Sequence, residues 1–534
     1  MIKIVKFVGV VPRVDKRLLT DNHAQVAENC RLLSGALEAW NEPKLSATIQ
    51  SAASTIYRYQ DRSWFEWNKT VDVVRSPVNR DIYKRVYWTG DGEPKMTVSN
   101  IADNSSAPYP NNSFRLGVPS PLNPPTVELV NPQVDLPAAD AAKVEDRFYL
   151  YTFVSAYGEE GPPSRPSALI EWNETKDVWL SNLQTSISGD FNIAAIRAYR
   201  TNEGQYQFVK EIPFGQATSR DSKLSQDLGE LLPSLNWLMP PADLEGLTSM
   251  SNGVLAGFRD NQICFSEPFQ PHAWPEDYQL SVDFDIVGLG TFGNNLVVLT
   301  NGFPYVITGS HPSSFITEKI EVAQACVSKN SIVSMDAGVI YASQDGLVNV
   351  SFNGTQCFTK SLFTKEEWSK LNPSSINAAW HDQRYIAFFE SNQGNKGLII
   401  DPKDPQALTF VDDFAQALFL DITQDTLYFA QANGNQIYEW NHGENKKQYL
   451  WKSKEFVRPY PVAYFFGQVD AQSYPLTLRI YQDGQLAVTK VIKDSKPFRL
   501  PVKKATRAWE VEVKGQATIN TIYLTETINE LQRM

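Results

Sequence analysis

The glycines of Gly288-Leu-Gly290-Thr-Phe-Gly293 have the spacing that cradles a pyrophosphate when a strand feeds a helix. The next residues, Asn294-Asn295-Leu-Val-Val-Leu-Thr, read as a strand and a turn, so these glycines are expected to be bends between strands, not a cofactor cradle. The five histidines, His23, His272, His311, His381 and His442, contain no pair at i+4 and no HExxH, which leaves metal catalysis without a ligand set. His381-Asp382 is an adjacent acid–base couple, but neighbours in a strand point to opposite faces, and a surface turn is expected there. The carboxylate clusters are Glu159-Glu160, Asp401 with Asp404, and Asp412-Asp413. A glycoside hydrolase holds two carboxyl groups roughly 5 to 10 Å apart, but each of these clusters lies in or beside a turn and is expected to be solvated. No GxSxG elbow, GxxxxGK loop or Cys-His signature is present. The expectation is therefore no catalytic residue, no metal and no cofactor: not an enzyme.

Cys30, Cys264, Cys326 and Cys357 stand too far apart for a zinc knuckle or a disulfide framework, and are expected to be buried thiols. Trp64, Trp67, Trp88, Trp274 and Trp368 could stack on sugars or bases, though cores and subunit contacts are the expected places for them.

The elements that must position these residues belong to a chain of 534 residues with 42% hydrophobic residues, enough for several packed domains. Its net charge of −11 disfavours a general grip on nucleic-acid phosphates. Neither an 18-residue apolar window nor a signal-peptide pattern at Met1-Ile-Lys-Ile-Val-Lys-Phe is present, so neither secretion nor a membrane-spanning segment is expected. The load of 13 Trp, 22 Tyr and 28 Phe favours strands and interfaces.

The chain divides into four regions. Residues 1–125 combine a short helix, expected at Asn22–Leu33 from the caps Asp21 or Asn22 before it and Ser34-Gly35 after it, with aromatic strands between residues 55 and 96. The proline-rich stretch 101–140, which runs past the end of that region, is expected to be an extended linker. Residues 126–240 alternate as a β-sandwich would, notably in Asp146-Arg-Phe-Tyr-Leu-Tyr-Thr-Phe-Val-Ser.

Across 241–448, hairpin-like segments start near Val254, Leu296, Ile340, Tyr385 and Leu427, a recurrence every 42 to 45 residues. That is the rhythm of four-stranded propeller blades, with Asn301-Gly302, Asp345-Gly346 and Asn433-Gly434 as turn pairs that tolerate positive φ. Closure of the ring would draw on the strands of residues 55–100 or on the C-terminal tail. Residues 449–534 form a β-rich C-terminal region, whose stretch 452–510 holds eleven Lys or Arg against five Asp or Glu, a solvated face or a patch for an acidic partner. The fold class expected is all-β and multidomain: a β-propeller-like ring, a small sandwich and a β-rich C-terminal region.

Particular segments carry a resemblance. Val11-Pro-Arg-Val-Asp-Lys-Arg-Leu-Leu followed by Asn22-His-Ala-Gln-Val-Ala-Glu-Asn-Cys-Arg-Leu-Leu-Ser-Gly-Ala-Leu, then Tyr87-Trp-Thr-Gly-Asp-Gly-Glu-Pro, Thr152-Phe-Val-Ser-Ala-Tyr-Gly-Glu-Glu-Gly-Pro-Pro-Ser, Phe265-Ser-Glu-Pro-Phe-Gln-Pro-His-Ala-Trp-Pro, Ala325-Cys-Val-Ser-Lys, Ser343-Gln-Asp-Gly-Leu-Val and Trp451-Lys-Ser-Lys span roughly residues 11 to 454. Together they resemble the tail nozzle (tail tubular protein B-like) proteins of short-tailed bacteriophages and related tail hub proteins.

The resemblance implies a virion protein of the phage tail, assembled in the host cytoplasm as a homohexameric ring. It implies partners in the head-to-tail adaptor and in tail fibres or other tail proteins, and transient passage of double-stranded DNA during ejection without sequence recognition. Six copies would carry about −66, a lumen that repels the duplex and does not hold it. The aromatic N-terminal block and the proline-rich stretch are the expected joint between copies. The alternatives are a carbohydrate- or receptor-binding propeller, marked by aromatics converging on one blade surface, and a propeller hydrolase, marked by carboxylates converging near the ring axis.

Overall fold

The computed structural model describes residues 1–133, 142–392 and 394–532. The protein is all-β and multidomain; the α-helices among the described residues, Lys365–Lys370 and Ile528–Gln532, are six and five residues long. No helix among the described residues is long and apolar enough to cross a membrane. Two compact units divide the chain: Met1–Asn68, Leu299–Pro304 and Lys319–Met534 make the first, and Lys69–Val298 with Tyr305–Glu318 the second.

The first unit is organised by a ten-stranded sheet. The antiparallel meander Asn377–His381, Arg384–Ser391, Gly394–Asp401 and Asp404–Val411 continues into Ala24–Glu28, then Tyr449–Ser453, Thr506–Gly515, Leu476–Gln482 and Gln485–Ile492, while Phe456–Val462 also pairs with Thr506–Gly515. The helix expected at 22–33 is therefore corrected: Ala24–Glu28 and Cys30–Arg31 are strands. Ala24–Glu28 runs antiparallel to Tyr449–Ser453 and parallel to Asp404–Val411, and those ladders outweigh the local helix signal. Asn29 takes a φ of 55° and breaks one strand from the next. The core beneath gathers Trp451, Trp509, Val511, Ile480 and Ile522, all fully buried.

Two further meanders belong to this unit. One covers 333–357; the other, 417–439, gains its fourth strand from far away in sequence, Lys44–Thr48, which pairs with Gln436–Glu439. Val333–Met335, Asn377–His381, Ala417–Asp421 and Thr55–Tyr59 lie in succession, first strand against first strand.

The second unit holds the meanders 72–115, 245–281 and most of 286–319, and again the first strands Asp72–Arg75, Glu245–Ser249 and Ile286–Phe292 pack in that order. Its other part is three small sheets from Thr126 to Asp221, closed around Tyr151, Phe153, Val178, Ile196 and Val209. The proline-rich stretch is not a free linker as far as Gln133. Phe114–Arg115 completes a meander, Leu116 and Val118 are buried in neighbouring cores, and Thr126–Val130 pairs with Asp177–Ser181. Prolines interrupt the ladders, but the intervening apolar side chains still anchor the chain. Residues 134–140 of that expectation lie outside the described residues.

The five hairpins read from the sequence are in each case the second and third strands of a meander: Leu255–Arg259 with Gln262–Phe265, Asn295–Thr300 with Tyr305–Thr308, Gly338–Ala342 with Leu347–Ser351, Arg384–Ser391 with Gly394–Asp401, and Thr426–Ala430 with Gln436–Glu439. The turn chemistry is only partly the expected one. Asn433 adopts a φ of 57° and Gly346 a φ of 151°, but neither Asn301 nor Gly302 is left-handed; there Thr300 Oγ1 accepts from Gly302 N–H at 3.0 Å and shapes the turn. Gly288 and Gly290 are likewise not bends: both lie inside the strand Ile286–Phe292, and only Gly293, at φ 53°, turns the chain.

Candidate functional site

One cluster of buried charge lies where the strand Tyr149–Ser155 ends. The chain turns through Gly158 and folds back along its own strand, with Ser155 N–H donating to Glu159 O and Gly161 N–H to Phe153 O. This return carries Glu159 and Glu160 inward, to 5% and 3% exposure, so the solvated turn expected for them is corrected. Glu159 Oε1 accepts from Arg85 Nη1 at 2.7 Å, and Arg85 Nε donates to Asp81 Oδ2 at 2.9 Å. Glu160 accepts from Thr152 Oγ1 and the Tyr199 hydroxyl, both at 2.7 Å, and from Arg197 Nη1 at 2.9 Å.

His272 is 2% exposed and edge-on to Trp237 at 5.7 Å, and neither ring nitrogen is within good hydrogen-bond geometry of a partner among the described residues. Burial holds its pKa below the usual imidazole value, with Glu159 pulling weakly the other way. Burial likewise pushes the Tyr87 phenol up, with Glu159 adding to the shift. Arg85 holds Glu159 and Asp81 together, and Arg197 holds Glu160. This arrangement fixes charge within the second unit; it does not present one free acid and one free base to a common space.

The other residues singled out in the sequence are dispersed. His23 lies at the start of Ala24–Glu28, His311 caps the short turn Pro312–Ser314, and the His381 ring faces the Asp425 carbonyl at 3.1 Å. His442 Nδ1 sits 2.9 Å from the Trp440 carbonyl. Among the described residues no group of three or more His, Cys, Asp or Glu is placed to hold a metal ion.

The four cysteines are free thiols. Cys30, Cys264 and Cys326 are buried, with burial pushing Cys264 up to about 11 and Cys326 up to about 12, while Cys357 is half-buried. Asp413 is also buried, not solvated; Lys447 bridges it and Asp412 at 2.7 and 2.6 Å, yet burial still raises the Asp413 pKa. Trp67, Trp88, Trp274 and Trp368 are buried, and Trp64 packs edge-on against Phe419 and Tyr428, so these five offer no open stacking platform.

Two features of the first unit remain open. A cleft of about 940 Å³ is lined by Arg13, Lys360, Lys403, Leu18, Phe358 and Pro405, with Arg13 Nη1 donating to Lys360 O at 2.7 Å. The basic stretch 452–510 divides in two. In its first part Lys452 pairs with Glu510 at 2.5 Å, Lys454 with Asp21 at 3.3 Å and Arg479 with Glu512 at 2.9 Å, while Arg458 donates to the Tyr464 hydroxyl and to Met1 O, and Lys490 lies over the Phe498 ring. Lys16 also bonds to Glu455 and, at 2.7 Å, to Glu510; burial opposes ionisation of Glu510, but Lys16 and Lys452 hold its pKa below the carboxylate range. The second part, Lys493, Lys496, Arg499, Lys503, Lys504 and Arg507, is exposed and has no charged partner among the described residues. Sequence reasoning found the excess charge but could not separate the paired half from the free half.

No family model matches the sequence, and no curated protein matches it. Among solved structures, the chain is similar to BBS1N in complex with ARL6DN, in mercury-soaked and lead-soaked crystals, at 9% and 10% identity. These matches cover 52% of this chain and 88% and 89% of those chains, with TM-scores of 0.27 and 0.26. It is also similar to PorZ, a surface component of the type-IX secretion system of Porphyromonas gingivalis, at 11% identity and a TM-score of 0.23, over 88% of this chain and 55% of that one. Likenesses at this level carry no argument about this protein.

Proposed function

We propose that this chain is a structural protein of a bacteriophage tail, a ring-forming wall of the lower channel below the head-to-tail adaptor, through which double-stranded DNA leaves. The reading rests on the sequence segments that resemble tail nozzle proteins. The observation that carries it structurally is the repeated four-stranded meander, stacked first strand to first strand within each unit as the blades of a propeller are. In this reading the meanders are blades of a propeller-like ring, and Lys44–Thr48, completing the sheet 417–439, is the strand by which an early segment locks a late blade. The net charge of −11 per copy supports weak contact with a passing duplex, since a conduit that bound phosphates tightly would stall it.

The five tryptophans singled out for the carbohydrate-binding alternative are buried or packed against aromatics, and for the hydrolase alternative Glu159 and Glu160 are each held by an arginine. Antibody labelling of purified phage particles tests the proposal: label at the tail tip is expected. Particles free of this chain, with all of it left in the host lysate, would overturn the assignment.

A further inference from the structure

Two stretches of this chain carry opposite net charge. The sheet edges Gln485–Ile492 and Phe498–Arg499 are terminal strands of their respective sheets, and the segment joining them and returning to Thr506–Gly515 brings Lys493, Lys496, Arg499, Lys503, Lys504 and Arg507 to one margin of the C-terminal region. Asp494 is the only acid between Lys493 and Arg507. Leu486 and Val491, each 53% exposed, stand on the same edge strand, so the margin mixes cations with aliphatic surface, as protein interfaces do.

The counterpart lies in the second unit. From Asp260 to Glu318 the sequence has seven Asp or Glu and no Lys or Arg. Asp260, Asp283 and Asp285 are exposed and share one end of the 245–281 sheet, because Ile286 N–H donates to Asp260 O at 2.8 Å and Val282 N–H to Asn261 O at 3.0 Å.

We propose that the basic margin of one copy seats the acidic end Asp260–Asp283–Asp285 of a second copy, a heterologous contact that repeats from subunit to subunit. The inference rests on the ring-forming function proposed for the chain and names the surfaces that would join its subunits. A heterologous joint of this kind closes into a ring or runs on as a filament, and complementary charge sets which faces meet. A second copy is preferred to nucleic acid as the occupant because the matching acidic surface is in the same chain and aliphatic side chains stand among the cations.

The test is sedimentation of the purified full-length chain at about 50 mM and 500 mM salt, where screening separates charge-driven from apolar association. The variants are Lys493→Glu/Lys496→Glu/Lys503→Glu, Asp260→Lys/Asp283→Lys/Asp285→Lys, and the chain carrying all six changes, with unchanged melting temperatures as the folding control. The expected result is salt-sensitive self-association of the natural chain, at least tenfold weaker association in either triple variant, and recovery in the six-fold variant. Mixing the two triple variants should also restore association, as alternating copies, since the natural joint and its charge-reversed counterpart are then both matched. Association that none of the substitutions alters overturns the interface and leaves the ring reading standing. A natural chain that stays monomeric at low salt also overturns the interface, while the ring reading is decided separately by antibody labelling of the particle. Association with short duplex DNA lost in the basic variant, without loss of self-association, would assign the margin to phosphates instead.

Discussion

Glu160 accepts from Thr152, Tyr199 and Arg197, so truncating it strands three donors in a buried site. Glu160→Ala should cost about 2–4 kcal/mol in the unfolding transition that contains it, read by urea titration; a change below about 0.5 kcal/mol would contradict the network described. His272 adds to the loss of stability in acid. Its folded pKa lies below the unfolded value of about 6.5, so its unfavourable contribution is absent above that pH and grows as pH falls from 6.5 towards the folded pKa, where the unfolded chain binds the proton first. The melting temperature should therefore drop between pH 7 and 5 more steeply in the natural protein than in His272→Phe; parallel curves would contradict this. Little of the cluster was legible in the sequence. Two glutamates beside a Gly-Pro turn read as solvent-facing, and the arginines that make their burial tolerable are 74 and 37 residues away.

At the scale of elements, local pattern and pairing partner compete. The middle strands of the meanders, such as Gly338–Ala342 and Thr426–Ala430, are buried along their whole length and announce themselves as apolar runs. Outer strands such as Ile316–Lys319 and Gly354–Cys357 are half-exposed and carry no such signal, which is why the sequence showed hairpins where the structure has four-stranded sheets. Ala24–Glu28 failed for another reason: its alanines and glutamate favour a helix, and only the distant strands 404–411 and 449–453 make it a strand. Ala27 is fully buried there, paired with Trp451, so Ala27→Pro should lower stability by roughly 3 kcal/mol or leave the chain insoluble, measured by soluble yield and melting temperature. An unchanged melting temperature would contradict the central place of that strand. Gly346→Ala should also destabilise, by about 1–3 kcal/mol: a Cβ there would meet Thr359 Oγ1 and Cys357 Sγ, at a φ of 151° that other residues rarely adopt. Its check is the urea midpoint, and a stability equal to the natural protein's would contradict the turn geometry.

For the whole molecule, composition disfavoured a basic nucleic-acid binder and pointed to strands, and the all-β, multidomain architecture agrees with the strands. The way charge divides into paired and free groups was not legible, because pairing depends on which strands become neighbours: Lys452 and Lys16 are absorbed by Glu510, whereas the cations from Lys493 to Arg507 meet no acid among the described residues. Electron cryomicroscopy of purified tail particles is the decisive measurement for the proposed ring assembly. The expected image shows this chain in a closed ring of copies around an opening of at least roughly 20 Å, the width a duplex needs, with acidic surface facing inward. An open or linear array of copies, or a ring with no duplex-sized opening and no movable gate, would contradict it.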